Sequence, residues 1–303
     1  MTPPLLLHHR VQGSGPAVLL LHAGVCDLRM WQPQWEALTA AHRVIGCDLR
    51  GYGQTPLPHQ DYSEAQDVLH LLDHLAVDEF AMVGASYGGH VALQVATAAP
   101  ERVNRLVLLC AAADLVQPTA DIEDFVAQED ALLDAEDVTG ATELNVRTWL
   151  GADADEATVA LVREMQRNAF AVQLAAGDVE SEDGEVDLTR ITMSTTVVSG
   201  LQDLDYFVST AQELAASIPA ARLVELDWAA HLPSLERPEM MASLLLDALA
   251  SDPAQLRRTS ADAARSRGAP ARGRGRPHRH GPSSCARTTT RCRWPPRSRP
   301  RRP

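Results

Sequence analysis

The stretch FAMVGASYGGHVALQVA, residues 80–96, changes its periodicity within a few residues. AMVG is short and apolar, which is typical of the end of a buried strand. From His90 onward the apolar residues recur at helical spacing, until Pro100 closes the segment. The sequence therefore predicts a strand that turns directly into a helix, with GASYG, residues 84–88, at the turn.

Such a turn strains the residue at its tip and leaves little room beside it. The residues two before and two after the tip must have very small side chains, and here they are Gly84 and Gly88. The strain would lift Ser86 to the tip, and the Tyr87 N–H would point unpaired toward whatever bonds to that serine. A chance G-x-S-x-G arises in about one in twenty chains of this size. We therefore expect Ser86 to be a nucleophile.

Composition divides the chain near residue 251. Before that point there are 12 Arg, no Lys and 38 acidic residues, and from there on 15 Arg and 2 acidic residues. The first part has ample apolar content for a core, whereas the second has almost no Val, Ile, Leu or Phe and cannot repay the entropy of ordering. We expect residues 251–303 to be a disordered Arg/Pro-rich tail, or a spurious extension of the kind that GC-rich DNA yields out of frame. A basic arm that binds nucleic acid is the alternative.

The absence of targeting and cofactor-binding motifs from the sequence predicts the location of the protein and its cofactor requirement. Residues 1–10 have no basic start and only three consecutive leucines, so we expect no signal peptide, and no apolar run approaches membrane-spanning length. The five cysteines form no C-x-x-C pair and three of them adjoin apolar segments, which predicts reduced thiols and a cytoplasmic protein. The histidines lack ligand spacing, and GYGQTP and GSGPAV lack the third glycine of a dinucleotide motif. We therefore predict neither metal nor cofactor.

Strand and helix patterns alternate along most of the chain. Strands are predicted at residues 5–11, 17–22, 42–48, 81–84, 105–110, 195–200 and 222–226, and helices at 30–40, 63–75, 90–98, 207–218 and from Pro238. This alternation predicts an α/β fold, a mostly parallel twisted sheet with helices on both faces.

The alternation stops between residues 111 and 190. FVAQEDALLDAED, TELNVRTWL and ATVALVREMQRNAFAVQLAA are helical in pattern, with no strand-like run between them. We expect a helical cap at 111–190, inserted between the two parts of the core, 1–110 and 191–250. Its 20 acidic residues from Asp114 to Asp187 favour a solvated helix surface over an electrostatic guide for substrate.

A serine nucleophile needs a base, and the base needs an orienting acid. In this topology reactive groups lie in loops beyond the carboxyl ends of the strands. The loop after RLVEL offers His231 as the base. The loop after VVSG offers Asp203 and Asp205, and the loop after RLVLLC offers Asp114. We rank the acids Asp203, Asp114, Asp205.

The negative oxygen of a tetrahedral intermediate must also be held. The Tyr87 N–H is one expected donor. The second should come from the loop after an early central strand, LLLHAGVCD, where the Gly24 N–H is the best placed. His22 in this loop is expected to bond loop backbone rather than to take part in catalysis.

The segments LLLHAG, DLRGYGQT, VGASYGG, VVSGLQD and HLPSLERPE resemble, in this order, the landmarks of the α/β-hydrolase superfamily. Together they span about residues 5–250, and they look most like the Ser-nucleophile esterases and enol-lactone hydrolases with a helical cap. LHAG stands where many relatives have HG followed by a bulkier residue, and AAH stands where many have GGH or AGH. Neither change removes a functional group. The resemblance implies a nucleophile, an acid, a base and two oxyanion donors at Ser86, Asp203, His231, Gly24 and Tyr87.

The resemblance implies a hydrolase that cleaves a carboxylic ester, lactone or thioester through an acyl-enzyme. Dehalogenases and epoxide hydrolases of this fold use Asp at the turn, so Ser86 favours acyl chemistry. A cofactor-free haloperoxidase-like enzyme, a C–C bond hydrolase and a non-catalytic small-molecule receptor on the same scaffold remain alternatives. The expected partner is a small acyl substrate, with no membrane and with nucleic acid only through the tail. Candidate pocket walls are Tyr52, Tyr87, Trp149, Phe170 and Trp228.

Overall fold

The computed structural model describes residues 4–57, 59–176, 179, 181 and 184–250. The predicted tail at 251–303 lies outside the described residues. None of the helices among the described residues is both long enough and apolar enough to cross a membrane.

Seven strands form a single sheet in the order β1-β3-β2-β4-β5-β6-β7. β1 is antiparallel to β3, and every other neighbouring pair is parallel. The predicted α/β fold with a mostly parallel sheet is confirmed. The strands are β1 (His9–Gln12), β2 (Ala17–Leu21), β3 (Arg43–Cys47), β4 (Phe80–Ala85), β5 (Val103–Leu109), β6 (Ser194–Gly200) and β7 (Ala221–Leu226).

The first strand begins at His9, later than the sequence predicts, because backbone N–H groups before it donate to side chains, although the His8 carbonyl oxygen still accepts the Asp48 N–H at 2.9 Å. The Leu5 N–H donates to Asp67 at 2.7 Å, and the His8 N–H donates to Thr55 at 2.9 Å. β1 also pairs with β3 and not with β2, which follows it across the glycine turn.

Helices cover both faces of the sheet. In β2 the side chains alternate, with Val18 and Leu20 in one hydrophobic core and Leu19 and Leu21 in the other. The helices are α1 (Gln32–Thr39), α2 (Glu64–His74), α3 (Tyr87–Ala98), α4 (Ala120–Asp134), α5 (Val138–Trp149), α6 (Glu156–Ala176), α7 (Asp205–Ser217), α8 (Pro233–Glu236) and α9 (Pro238–Leu249). Short 3-10 helices lie at Leu28–Trp31 and Leu188–Arg190. The predicted helix at 30–40 therefore begins as a 3-10 helix and continues as the α-helix α1.

Between β5 and β6 the chain forms the three helices α4, α5 and α6, as predicted for the stretch without strands. In the described part of 111–190, the one extended pairing is a single parallel bridge between Tyr62 and Ser181. We call α4–α6 the inserted helices. They contribute one wall of the cavity described below.

Candidate active site

The turn between β4 and α3 has the strain that the sequence predicts. Ser86 has φ +49° and ψ −115°, outside the regions that L-residues prefer. A Cβ on Gly84 would lie 2.4 Å from the Gly88 carbonyl oxygen, and a Cβ on Gly88 would lie 2.5 Å from the His22 carbonyl oxygen. Only glycine fits at either position, and the close backbone holds Ser86 at the tip of the turn.

Helix α3 begins at the carboxyl end of β4, next to the loop that carries Gly24. Among the described residues, no protein acceptor takes the Tyr87 N–H, which opens helix α3. Gly24 lies beside it, because a Cβ on Gly24 would be 3.4 Å from the Tyr87 Cβ. Ser86, Tyr87 and Gly24 all line the same cavity.

His22 joins two loops, as expected of a structural residue. Its Nε2 accepts the Leu49 N–H at 3.0 Å, so its Nδ1 carries the proton and donates to the Ala23 carbonyl oxygen at 2.9 Å. Complete burial lowers the pKa of His22, against the opposing charge of Asp48. A neutral His22 thus fixes the loop that carries Gly24.

His231 and Asp203 form a buried pair. His231 Nδ1 lies 2.6 Å from Asp203 Oδ2, and the other Asp203 oxygen accepts the Leu204 N–H at 2.8 Å. Both side chains are almost completely buried. Because a carboxylate can only accept, the proton of this bond belongs to His231 Nδ1. Nε2 of His231 is then left as a proton acceptor.

The two other candidate acids lie elsewhere. Asp205 and Asp114 are both exposed, Asp205 at the start of α7 and Asp114 in the loop after β5. The residue after β5 that reaches the pair is Cys110, whose φ is +43°. Its Sγ, an Asp203 oxygen and a His231 ring nitrogen lie within 4.8 Å of one another.

Cys110 was not singled out from the sequence as a site residue. Burial, reinforced by the charge of Asp203, raises the pKa of its thiol well above the ordinary value. In the part of the chain that the structure describes, Cys110, Asp203 and His231 are the one group with the composition and spacing to share a metal ion. The hydrogen bond between His231 Nδ1 and Asp203 already engages two of these three side chains, and we assign no metal to the group.

Glu236 braces the loop that carries His231. One carboxylate oxygen accepts the Ala230 N–H at 3.0 Å, and the other accepts the Leu232 N–H at 3.1 Å. Burial raises the pKa of Glu236, and these hydrogen bonds oppose the shift. The sequence analysis missed this role, although the acidic residue in the short Pro-started helix α8 was a usable signal.

A cavity of about 60 Å³ joins Ser86 to His231. Four of the five predicted aromatic residues line it, namely Tyr52, Tyr87, Trp149 and Phe170. The Trp149 and His231 ring centroids are 4.6 Å apart, so α5 packs directly on the imidazole. Trp228 lies outside the described cavity lining, and its half-buried ring packs under the Arg237 guanidinium at 4.6 Å.

Polar residues from the inserted helices also line the cavity, and the sequence analysis did not identify them. They are Glu129, Asn145, Gln166 and Gln173. Each lies in an amphipathic helix, where periodicity alone assigns a polar side chain to the solvent-facing side. Only the way the helices pack on the sheet reveals that these residues line the same cavity as Ser86.

The buried carboxyl of Glu64 lies beside the Tyr87 hydroxyl. The Tyr87 hydroxyl donates to Glu64 Oε1 at 3.4 Å, and burial raises the pKa of Glu64 to about 8. Glu64 therefore keeps its proton near neutral pH. A neutral carboxyl avoids placing a negative charge behind Tyr87, which lines the cavity.

Comparison with known proteins agrees with this geometry. The sequence model described as "Alpha/beta hydrolase family" matches residues 18–244. The chain belongs to that family and is a hydrolase of the α/β-hydrolase fold, as its sequence landmarks predicted.

Relatives include hydrolases of several kinds. The enol-lactonase from Burkholderia xenovorans LB400 is 29% identical, with a TM-score of 0.68, over 80% of this chain and 96% of its own. A hydrolase from Pseudomonas aeruginosa PA01 is 32% identical, with a TM-score of 0.67, over 80% and 94%. RutD of Variovorax paradoxus strain S110, provisionally named a carbamate hydrolase, is 31% identical over 80% and 96%.

Proposed function

We propose that this protein is a serine hydrolase that cleaves a carboxylic ester, a lactone or a thioester through an acyl-enzyme. One observation carries the proposal: the strained Ser86 and His231 line one cavity, and the hydrogen bond to Asp203 leaves His231 Nε2 as an acceptor. The names of the relatives, an enol-lactonase among them, support acyl chemistry.

In the proposed reaction, Ser86 Oγ attacks the carbonyl carbon while His231 Nε2 takes the hydroxyl proton. The carbonyl π electrons move onto its oxygen, which the N–H groups of Tyr87 and Gly24 hold. The intermediate collapses, the bond to the leaving oxygen or sulfur breaks, and His231 returns the proton to that atom.

Water then repeats the sequence on the acyl-enzyme. His231 takes a proton from the water as its oxygen attacks the acyl carbon, and it returns that proton to Ser86 Oγ as the acid leaves. Asp203 stays ionised throughout, because it stabilises the imidazolium without accepting its proton. The inserted helices would act as a cap that limits the size of the acyl group.

The first test is a burst experiment with an activated aryl ester. One equivalent of aryl alcohol should be released before steady turnover, and mass spectrometry should find one acyl group on the Ser86 peptide. Ser86→Ala should remove the label and lower kcat by about 10⁴-fold or more, because the remaining site keeps only binding and oxyanion contacts.

Ser217→Ala is the matched control, because Ser217 is exposed and its hydroxyl bonds only within α7. That variant should keep both the burst and the label. A folded wild-type protein that no aryl ester, phosphonate or sulfonyl fluoride modifies at Ser86 would overturn the proposed function.

A further inference from the structure

The Tyr87 side chain connects the active-site turn to a buried carboxyl. Tyr87 follows Ser86 directly, opens helix α3 and lines the cavity. Its hydroxyl donates to Glu64 Oε1 at 3.4 Å, and Glu64 lies in the first turn of α2. Glu64 is 1% exposed and is not among the described residues that line the cavity. Glu64 thus reaches the turn through the Tyr87 side chain.

Glu64 has too few hydrogen-bond donors around it for an ionised carboxyl. Its Oε2 is buried and has no partner among the described residues. The Arg50 backbone N–H also bonds to Glu64, but the Arg50 guanidinium is paired with Asp67, where Nη2 donates to Oδ1 at 2.7 Å. A buried carboxylate needs donors at both oxygens or a cation of its own. The described surroundings of Glu64 supply neither, so the neutral acid is the stable form.

The charges near Glu64 agree with a neutral acid. Burial is the main cause that raises its pKa from the ordinary value of 4.5 to about 8. The negative charge of Asp67 adds to this rise in pKa, whereas Arg50 and the hydrogen bond from Tyr87 oppose it. The other ionisable groups that interact with Glu64 are the side chains of Cys47, Tyr62 and Tyr87. Burial raises the pKa of each of these three well above its ordinary value, so Glu64 is the one among the four that changes charge near pH 8.

From this geometry we propose that Glu64 is a positioning residue: its neutral carboxyl keeps Tyr87 in place beside Ser86, and loss of its proton turns the enzyme off. Ionisation would leave a buried charge without a partner at Oε2, so the packing around it would open to admit water or a donor. The turn cannot absorb such a change, because its backbone is strained at Ser86 and closely packed at Gly84 and Gly88. The Tyr87 N–H and Ser86 Oγ would then lose their alignment, which slows the reaction. This inference rests on the proposed function, because it names a residue that controls the same site.

The pH profile of hydrolysis tests this role. The probe is 4-nitrophenyl butanoate, an ester without an ionisable group, with its spontaneous hydrolysis subtracted at each pH. Wild-type kcat should fall about tenfold for each pH unit above about pH 8, because the protonated fraction of a single group falls by that factor. KM should change little, because Glu64 is not among the described residues that line the cavity.

Variants of Glu64 separate the effect of its charge from the effect of its shape. In Glu64→Gln the amide oxygen accepts from the Tyr87 hydroxyl as the neutral carboxyl does, and the amide has no proton to lose. Its kcat should stay level from about pH 7 to about pH 9.5. Glu64→Leu should give the same level profile at a lower kcat, because it removes the charge together with the bond to Tyr87. Glu79→Gln is the matched control, since Glu79 is exposed just before β4 and its variant should decline like the wild type.

Thermal melting gives a second readout that does not depend on catalysis. Between pH 4.5 and about pH 8 the folded protein holds the Glu64 proton, whereas the unfolded chain has released it. The free energy of unfolding therefore falls as the pH rises through this window. Glu64→Gln lacks this loss, so the melting temperature of the wild type minus that of Glu64→Gln should decrease across the window and stay constant above it. The same difference taken with Glu79→Gln should show no such trend.

The outcomes distinguish this inference from the proposed function. A wild-type kcat that stays level up to about pH 9.5, or an equal decline in the wild type and Glu64→Gln, overturns the role of Glu64, while hydrolysis of the ester leaves the proposed function standing. Melting temperatures of the wild type and Glu64→Gln that run parallel from pH 4.5 to about pH 8 also overturn it. If the wild type hydrolyses no ester and Ser86 stays unlabelled, the proposed function fails and the inference fails with it.

Discussion

Asp203 is the residue on which the state of His231 depends. Its Oδ2 lies 2.6 Å from His231 Nδ1, and its Oδ1 is occupied by the Leu204 N–H. The carboxylate therefore has a fixed orientation and fixes the imidazole tautomer. Cys110 fills the space on the side of β5 with a neutral thiol.

Asp203→Asn should lower kcat by about 10³- to 10⁴-fold and leave the melting temperature nearly unchanged. The amide can donate to Nδ1, which favours the tautomer whose Nε2 carries the proton and so removes the base. Steady-state kinetics and thermal melting measure the two effects.

Asp205→Asn and Asp114→Asn are the controls for this change, because both side chains are exposed. Each should retain the activity of the wild type. Near-full activity in Asp203→Asn together with loss in Asp114→Asn would show that the ranking of the acids is wrong.

Site residues could be predicted where the local sequence pattern indicates their role. Ser86 stands between glycines at a strand-to-helix turn, and Asp203 and His231 each follow an apolar strand pattern. Cys110 and Gln166 gave no such signal. Their importance depends on which strands and helices become neighbours, and a single sequence does not reveal that packing.

Among the elements, the four-residue helix α8 positions the side chain that braces the His231 loop. It places Glu236 so that the carboxylate holds the backbone on both sides of His231. The Pro233 ring begins the helix immediately after the loop, where a missing N–H has no cost. One acidic side chain thus fixes the backbone on both sides of the base.

Glu236→Gln should slow turnover by about 10- to 100-fold while the fold persists. The amide keeps one acceptor, but its NH₂ group faces a backbone N–H, so the loop shifts and misplaces the imidazole. The loss should fall mainly on kcat, with KM little changed, because Glu236 is not among the described residues that line the cavity.

Glu239→Gln serves as the comparison, since Glu239 is exposed at the start of α9. It should behave like the wild type in kinetics and melting. If Glu236→Gln is as active as Glu239→Gln, the brace does not position His231.

Most of the strands could be predicted together with their approximate ends, and the first strand was the exception. β2, β3, β4 and β6 fall within two residues of the predicted ranges, because buried parallel strands are short apolar runs. The first strand was predicted too long, since Leu5 and His8 bond to side chains from distant segments. Such contacts leave no trace in local periodicity.

At the scale of the whole molecule, the sheet brings together residues that are far apart in the sequence. Parallel strands present their carboxyl ends at one edge, so the loops after β4, β6 and β7 meet there. The two hydrophobic cores on opposite faces of the sheet hold that edge in place. Helix α9 closes one of these cores with Met241, Leu245 and Leu249.

A chain that ends at Ala250 should therefore fold and turn over substrate like the full chain. Helix α9 already buries its apolar face within the described residues, and 251–303 has too little apolar content to add to a core. Removing this Arg-rich segment should leave the melting temperature and kcat/KM unchanged. Any salt-dependent binding of nucleic acid by the full chain should disappear.

A chain that ends at Arg237 is the contrasting control. It lacks α9, so Trp35 and Leu38 of α1 lose the apolar side chains that cover them. That deletion should abolish cooperative melting, because exposing several large core residues exceeds the usual margin of stability. If the chain ending at Ala250 also fails to melt cooperatively while the full chain does, then residues 251–303 take part in the fold and are not a dispensable tail.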